Sequence, residues 1–222
     1  MHEAMKRSFY VRFGKRALDI AMAALGLILL TPLFAVLAIL VKCTSRGPVL
    51  FRQRRVGRRG EPFLIAKFRS MADGSDRAGL PITAADDCRM TAVGRVLRGL
   101  KLDELPQLWN VLCGDMSIVG PRPEVPRYVN LYSDSERQVL SVRPGITDPA
   151  SIRYRSEERV LRGHSDVDRY YREVLLPDKL KLNLEYINRI SFFYDLSLLV
   201  QTTRAVLFGR AHKPERLPVY RK

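Results

Sequence analysis

Apolar and charged residues interleave along most of the chain, but one stretch is different. Ala17–Val41 reads ALDIAMAALGLILLTPLFAVLAILV, and Asp19 is its sole ionisable residue. As one helix it would run for about 37 Å, enough to cross a bilayer core. It is too long and too late for a simple secretory signal. Thr31-Pro32 interrupts it. Proline removes an amide donor and clashes with the preceding turn, and the Thr31 hydroxyl can return a hydrogen bond to the freed backbone. Two readings follow: a kinked spanning helix, or a hairpin that enters one leaflet and leaves on the same side. Lys6, Arg7, Arg12, Lys15 and Arg16 precede the stretch, and Lys42, Arg46, Arg52, Arg54, Arg55, Arg58 and Arg59 follow it. The positive-inside bias keeps both groups in the cytoplasm if the chain turns back. Arms of about 21 Å and 14 Å would each be too short to cross. Phe192–Leu199 is too short for a second span and contains Asp195.

The remaining pattern predicts small strands and amphipathic helices. Val49, Phe51 and Phe63-Leu64-Ile65 suggest strands around a Gly-rich turn, with Lys67 and Arg69 alternating with Phe68 as phosphate ligands or solvated cations. Ala72–Arg89 reads as a loop. Thr91 caps a helix through "AVGRVLRGLKL", with Val93, Val96, Leu97, Leu100 and Leu102 on its apolar face. Gly94 and Gly99 weaken it by about 1 kcal/mol each, which suits close packing or close ligand approach. Asp103 then opens a second helical segment whose Leu105, Leu108, Trp109 and Leu112 face the core or a membrane. "GPRP" and "RPGITDP" read as rigid loops. From Val167 the helical pattern returns, with Tyr186, Phe192, Phe193 and Tyr194 as aromatic, amphipathic surface.

Charge narrows the partners. The 222 residues carry 38 Lys and Arg against 23 Asp and Glu, a net +15. Such an excess favours phosphate: nucleic acid, an anionic membrane face or phosphorylated small molecules. Cys43, Cys88 and Cys113 lack metal-ligand spacing and suit a reducing compartment. His2, His164 and His212 form no cluster, which argues against zinc.

The candidate chemistry lies in "LDELPQLWNVLCGDMSIVGPRP", Leu102–Pro123. Asp103 as an N-cap and Glu104 as a first-turn acid would be ordinary. Adjacent carboxylates are poor glycosidase partners, which face each other across a sugar. The basic surroundings permit another use. One carboxylate attacks phosphorus to form an acyl phosphate, its neighbour holds Mg²⁺, and arginine forks bind phosphate oxygens. Two non-enzymatic readings stand beside it: a membrane-anchored nucleic-acid-binding module, carried by the net charge, and a membrane scaffold whose acids are caps.

"KRALDI", "FRQRRVG", "FLIAKFRSM", "TAVGRVLRGLKLDELPQLWNVLCGDMSIVGPRP" and "RPGIT" occur in an order and spacing that resemble the bacterial sugar transferase family, the compact monotopic phosphoglycosyl transferases, over roughly Lys15–Gly209. The resemblance implies an α+β protein. Its N-terminal re-entrant helix-break-helix would turn at Thr31 and Pro32, with amphipathic interfacial helices beside a small cytoplasmic catalytic core. The chain then divides into a basic region 1–16, a membrane segment 17–41, a catalytic domain 42–209 and a basic tail 210–222. The implied reaction is two-step. Asp103 attacks the sugar-bearing phosphate of a nucleotide diphosphate-sugar, usually a UDP-sugar, and the phosphosugar passes to polyprenyl phosphate, usually undecaprenyl phosphate. Glu104 holds Mg²⁺, and Lys67, Arg98, Arg122 and Arg155 surround the phosphates. Anionic lipids are expected partners, nucleic acid is not, and homo-oligomer formation is left open. The expected location is the bacterial inner membrane, cytoplasmic face, in assembly of a cell-surface glycan. One segment departs from the family pattern: "PGIT" is followed by "DPASIRYRSEE", so Asp148-Pro149 brings charge and stiffness where glycine is usual. That puts sugar recognition by analogy, and the role of Arg155, in doubt.

Overall fold

The computed structural model describes residues 9–72, 74, 89–161, 164 and 166–208. Residues 1–8, most of the loop read at 72–89, and the tail at 210–222 lie outside them, as do Cys88, His2 and His212. The apolar stretch forms two helices, α1 (Lys15–Leu29) and α2 (Thr31–Thr44), bent by 63° at the expected break. Pro32 sits in the first turn of α2, where an absent amide is harmless. Thr31 Oγ1 donates to the Leu27 carbonyl over 2.8 Å, the return bond that the hydroxyl allowed. Among the described residues no single helix is long and apolar enough to cross a membrane, although the bent pair together has the length and composition. Leu25, Ile28, Leu29, Val36 and Ile39 are exposed on it.

An antiparallel hairpin follows, β1 (Leu50–Val56) against β2 (Pro62–Phe68), with Phe51 opposite Lys67. Next come α3 (Ala92–Gly99), a tight turn at Leu102–Glu104, α4 (Gln107–Cys113), β3 (Ser117–Val119) and α5 (Pro126–Val129). After them run β4 (Gly145–Thr147), α6 (Pro149–Arg153), α7 (Glu157–Leu161), α8 (Val167–Tyr170), α9 (Leu176–Arg189) and α10 (Phe192–Phe208). β3 and β4 pair in parallel. The fold is therefore mixed, mainly helical around two small sheets.

Three local expectations need correction. The helix capped by Thr91, whose Oγ1 accepts from Gly94 N, stops at Gly99 rather than running to Leu102. On its apolar face Val96 and Leu100 are exposed, while Leu97 packs with Leu37, Val41 and Phe68 of α2 and β2. "RPGITDP" is not only a turn: Gly145–Thr147 is strand β4. Gly145 is needed there, since a Cβ would lie 2.1 Å from the Gly120 nitrogen. Gly94 likewise lets α3 sit on Ser70, whose carbonyl oxygen would be 1.9 Å from a Cβ. Gly99 has open space around it, so it marks no close packing.

Charged groups tie α1 to this core. Arg16 donates to the Val111 and Leu112 carbonyls (2.6 and 3.0 Å) at the C-terminal end of α4, where the helix dipole favours a cation. Buried Asp19 accepts from Ser117 Oγ (3.0 Å) and Ile118 N (2.9 Å) of β3. Asp195 of α10 accepts from Tyr10, Lys15 and Tyr186. The main apolar cluster, around Val111, Met116, Tyr128, Leu175 and Tyr186, lies between these ties.

Candidate active site

The two adjacent acids owe their placement to backbone geometry. Lys101 is left-handed (φ 59°), which ends the direction of α3. Leu102–Glu104 then form one tight turn, and Pro106 takes the N-cap position of α4. Asp103 therefore caps no helix, contrary to the local expectation: proline's fixed φ suits the entry to α4, and no side-chain cap bond is made there. In such a turn consecutive side chains diverge by about 120°, so Asp103 and Glu104 meet different surroundings. Buried Asn110 of α4 holds the turn beside β2, accepting from Ala66 N (2.9 Å) and donating to the Leu64 carbonyl (2.8 Å). Asn110 also donates to Asp115, which is thereby a structural acid (3.2 Å).

Glu104 is held through both oxygens, Oε2 by a single bond. Arg122 grips it with a two-pronged fork, Nη1 donating to Oε2 at 3.0 Å and Nη2 to Oε1. Lys67 of β2 donates to the same Oε1 at 3.2 Å. Burial alone would raise the Glu104 pKa, but Arg122 and Lys67 outweigh it and hold the carboxyl well below its usual range. Burial lowers the Lys67 ammonium to about 8 despite Glu104. Arg122 comes from the extended loop after β3, and its own amide donates to Asp148 Oδ2 at 3.1 Å.

Asp103 is the opposite case. It is only 4 % exposed, yet its Oδ1 is buried without a hydrogen-bond partner. Burial first, and Glu104 second, raise its pKa above the ordinary carboxylate range. An undersolvated carboxylate oxygen is a stronger base and nucleophile than a hydrated one.

Both acids line a cavity of about 710 Å³ that also receives Lys67, Arg98, Arg122 and Arg155. All six expected site residues thus meet in one space. Arg98 pairs with Glu158 of α7 (3.2 Å). Arg155 donates from Nη2 to the Val206 carbonyl of α10 at 3.4 Å, while its Nη1 is buried without a partner. Arg69 does not join them; it turns to the Ser45 carbonyl and hydroxyl (both 2.7 Å) at the end of α2. Met22, Leu30, Leu105, Leu108 and Leu199 give the cavity an apolar wall against the bent helix pair. Sequence reasoning missed Arg55, Glu124, Glu157, Tyr171 and Lys179, which line it too. Arg55 and Glu124 sit in or beside "FRQRRVG" and "GPRP", so motif proximity was a usable signal for them. Lys179 is one of three cations of α9, with Lys181 and Arg189, and nothing in the local sequence sets it apart.

Magnesium takes one or two carboxylates plus substrate phosphates rather than an all-protein cage. Glu104 with the unpartnered Asp103 oxygen beside it fits that donor set. Among the described residues no group of three or more His, Cys, Asp or Glu gathers for an ion, so the protein's share would be small.

Residues 10–209 match the family described as bacterial sugar transferase. The chain is 38 % identical over 202 residues to the UDP-N-acetylgalactosamine-undecaprenyl-phosphate N-acetylgalactosaminephosphotransferase of Aeromonas hydrophila, covering 89 % of this chain but 44 % of that protein. It is 38 % identical over 200 residues to the UDP-glucose:undecaprenyl-phosphate glucose-1-phosphate transferase of Caulobacter vibrioides, covering 89 % of this chain and 71 % of that one. It is also 38 % identical over 196 residues to the uncharacterized sugar transferase EpsL of Bacillus subtilis, with 87 % of each covered. The chain spans less than half of the first relative and most of the other two. It belongs to the bacterial sugar transferase family.

Proposed function

We propose that this bacterial sugar transferase moves a phosphosugar from a nucleotide diphosphate-sugar, a UDP-sugar by its relatives' names, to undecaprenyl phosphate, opening the assembly of a cell-surface glycan. The observation that carries the reading is the contrast within the dyad: a buried Asp103 oxygen without a partner beside a Glu104 clamped by Arg122 and Lys67. Asp103 Oδ1 attacks the sugar-bearing phosphorus. The bond from that phosphorus to the bridging oxygen breaks, and the nucleoside monophosphate leaves with the electron pair. A phosphate oxygen of the lipid then attacks the same phosphorus, the bond to Asp103 breaks, and the carboxylate is restored. No net proton is required in either displacement.

Arg122, Lys67, Arg98 and Arg155 meet the phosphate oxygens and neutralise charge that grows as the bonds change. Glu104, with Asp103, would hold Mg²⁺, which supplies further charge neutralisation on the diphosphate. The apolar wall toward α1 and α10 suits the lipid's first prenyl units. The bend at Thr31-Pro32, the exposed apolar face of the pair, and Trp109, Phe193 and Phe208 on other helices support a re-entrant, monotopic seating of 17–41. The cations at both ends of that segment favour the cytoplasmic face of the inner membrane, next to anionic lipids, with 42–209 as the catalytic domain.

The test is transfer of labelled phosphosugar from a panel of UDP-sugars to undecaprenyl phosphate, with and without a chelator, followed by mass analysis of the donor-only reaction. Wild type should gain one phosphosugar on Asp103 and depend on added Mg²⁺. A covalent adduct on another residue, or full turnover by Asp103→Asn, would sink the assignment.

A further inference from the structure

The cavity has a second polar end that phosphoryl transfer leaves unused. There Glu124 accepts from the Tyr171 hydroxyl and faces Arg55 (3.6 Å) and Lys179 (3.9 Å). Lys179 Nζ donates to Glu157 Oε2 (2.9 Å) and to the Tyr171 hydroxyl (3.2 Å), and it lies over the Tyr171 ring, 4.9 Å from its centroid. A cluster that served the fold alone could sit beneath close packing. This one opens onto the same space as Asp103 and Arg122, together with Tyr154. Glu157 is also close enough to Arg122 to help raise its pKa, so the second end lies next to the phosphate end.

We propose that Glu157 and Lys179 read the sugar of the donor: its hydroxyls bridge the Glu157 carboxylate and the Lys179 ammonium while its phosphate stays at Asp103 and Arg122. The inference rests on the transferase reading. A carboxylate beside an ammonium suits a hydroxyl, which donates to one and accepts from the other. Lys179 is paired with Glu157 and Arg55 with Glu124, so the cluster has no unpaired cation to meet a carboxylate on the sugar. The preferred donor is a neutral, hydroxyl-rich sugar. Glu157 opens α7, which follows α6, and α6 begins at Asp148-Pro149. The segment that departs from the family pattern is thus the one that delivers the sugar-facing acid.

The full chain in lipid nanodiscs is assayed with UDP-glucose, UDP-N-acetylgalactosamine and UDP-glucuronic acid, with UDP binding measured by calorimetry. For the best wild-type donor, Glu157→Gln should lower kcat/KM by roughly ten- to a hundredfold, as loss of a hydrogen bond to a charged group does, while UDP affinity stays unchanged. Deoxy analogues of that donor should reveal one hydroxyl whose removal harms wild type but does not harm the variant further. Glu157→Asp, which keeps the charge and shortens the reach, gives the same comparison if the Gln variant melts early. Equal losses for donor and UDP, unchanged donor ratios, or hydroxyl losses that simply add would overturn the sugar site. Wild type that transfers from no donor would overturn the transferase reading with it. Normal wild-type transfer with unchanged ratios in both variants would remove the sugar site alone.

Discussion

Asp103 and Asp195 are equally hidden, at 4 % and 2 % exposure, but they are solved in opposite ways. Asp195 accepts from the Tyr10 hydroxyl (2.7 Å), Lys15 Nζ and the Tyr186 hydroxyl (2.8 Å), and so pins the N-terminal turn and α1 to α10. Asp103 has a buried oxygen with no partner at all. Removing a carboxylate from water costs several kcal/mol unless bonds replace the lost hydration. At Asp195 they do. At Asp103 the cost is left standing, offset only by the more distant cations Lys67, Arg98 and Lys101. A satisfied buried acid is structural, and an unsatisfied one next to a cavity is poised for a ligand.

The sharpest way to break that contrast is to neutralise each acid. Asp103→Asn should reduce turnover by about 10⁴-fold or more, the scale for losing a covalent nucleophile, and should melt no lower than wild type because a costly buried charge is gone. Asp195→Ala should do the reverse. It strands Lys15 and the Tyr10 hydroxyl, leaves Tyr186 only its 3.3 Å bond to the Val119 carbonyl, and should cost roughly 3 kcal/mol of stability, read as a lower denaturation midpoint, with activity lost only as far as the fold is lost. If Asp103→Asn lowered stability while sparing turnover, the comparison would collapse.

Arg122→Lys comes next. A lysine keeps the charge but cannot form the fork on Glu104 or grip two phosphate oxygens together. A loss of about a hundredfold in kcat/KM is expected. A near-silent Arg122→Lys would show that bulk charge, not the fork, is what the site needs.

Titration separates the two ends of the dyad more gently. Below the raised pKa of Asp103 the proposed nucleophile is protonated, so kcat/KM should fall on the order of tenfold per pH unit from above the ordinary carboxylate range. As pH rises through about 8, Lys67 sheds its proton and activity should fall again. Stability moves the other way for this group. Its folded pKa, about 8, lies below the ordinary 10.5. Between those values the unfolded chain binds more protons, so the contribution of Lys67 to stability rises with pH. The difference between wild type and Lys67→Met, followed by urea titration across that window, isolates it.

Part of this was legible locally. Thr31-Pro32 carries its own physics, a missing amide and a returning hydroxyl, and the break stands where the pattern put it. Thr91 capped its helix for the same reason. Lys67 is a phosphate candidate from its alternation with Phe68, Arg98, Arg122 and Arg155 come from the motif resemblance, and the fold gathers all four. What stayed hidden depends on contacts between distant segments. Glu157 and Lys179 are 22 positions apart and look like ordinary helix-surface charges. Asp103 looked like a cap because cap rules see only the next turn, and the left-handed Lys101 that redirects it has no strong signature in a lysine. Val96 and Leu100 fall on an apolar face, and periodicity finds such a face without saying whether protein or lipid covers it.

The smallest effect tests whether the departing loop is part of the site or merely next to it. Asp148 is fully buried, and each of its carboxylate oxygens accepts a backbone amide: Oδ1 from Ser151 at 2.6 Å and Oδ2 from Arg122 at 3.1 Å. The first bond caps α6, and the second fixes the backbone that carries the Glu104 fork. Asp148→Ala should therefore cost about 1–2 kcal/mol of stability as a lost cap and lower kcat/KM by several-fold to about tenfold through a loosened Arg122. Asp148→Asn keeps one acceptor oxygen and should recover whichever bond that oxygen takes. If Asn restores stability but not kcat/KM, it has kept the cap and lost Arg122, and the two roles are separable. If both variants lose stability while kcat/KM per folded molecule is untouched, Arg122 is held by the Glu104 fork alone, and the loop belongs to the scaffold rather than to the reaction.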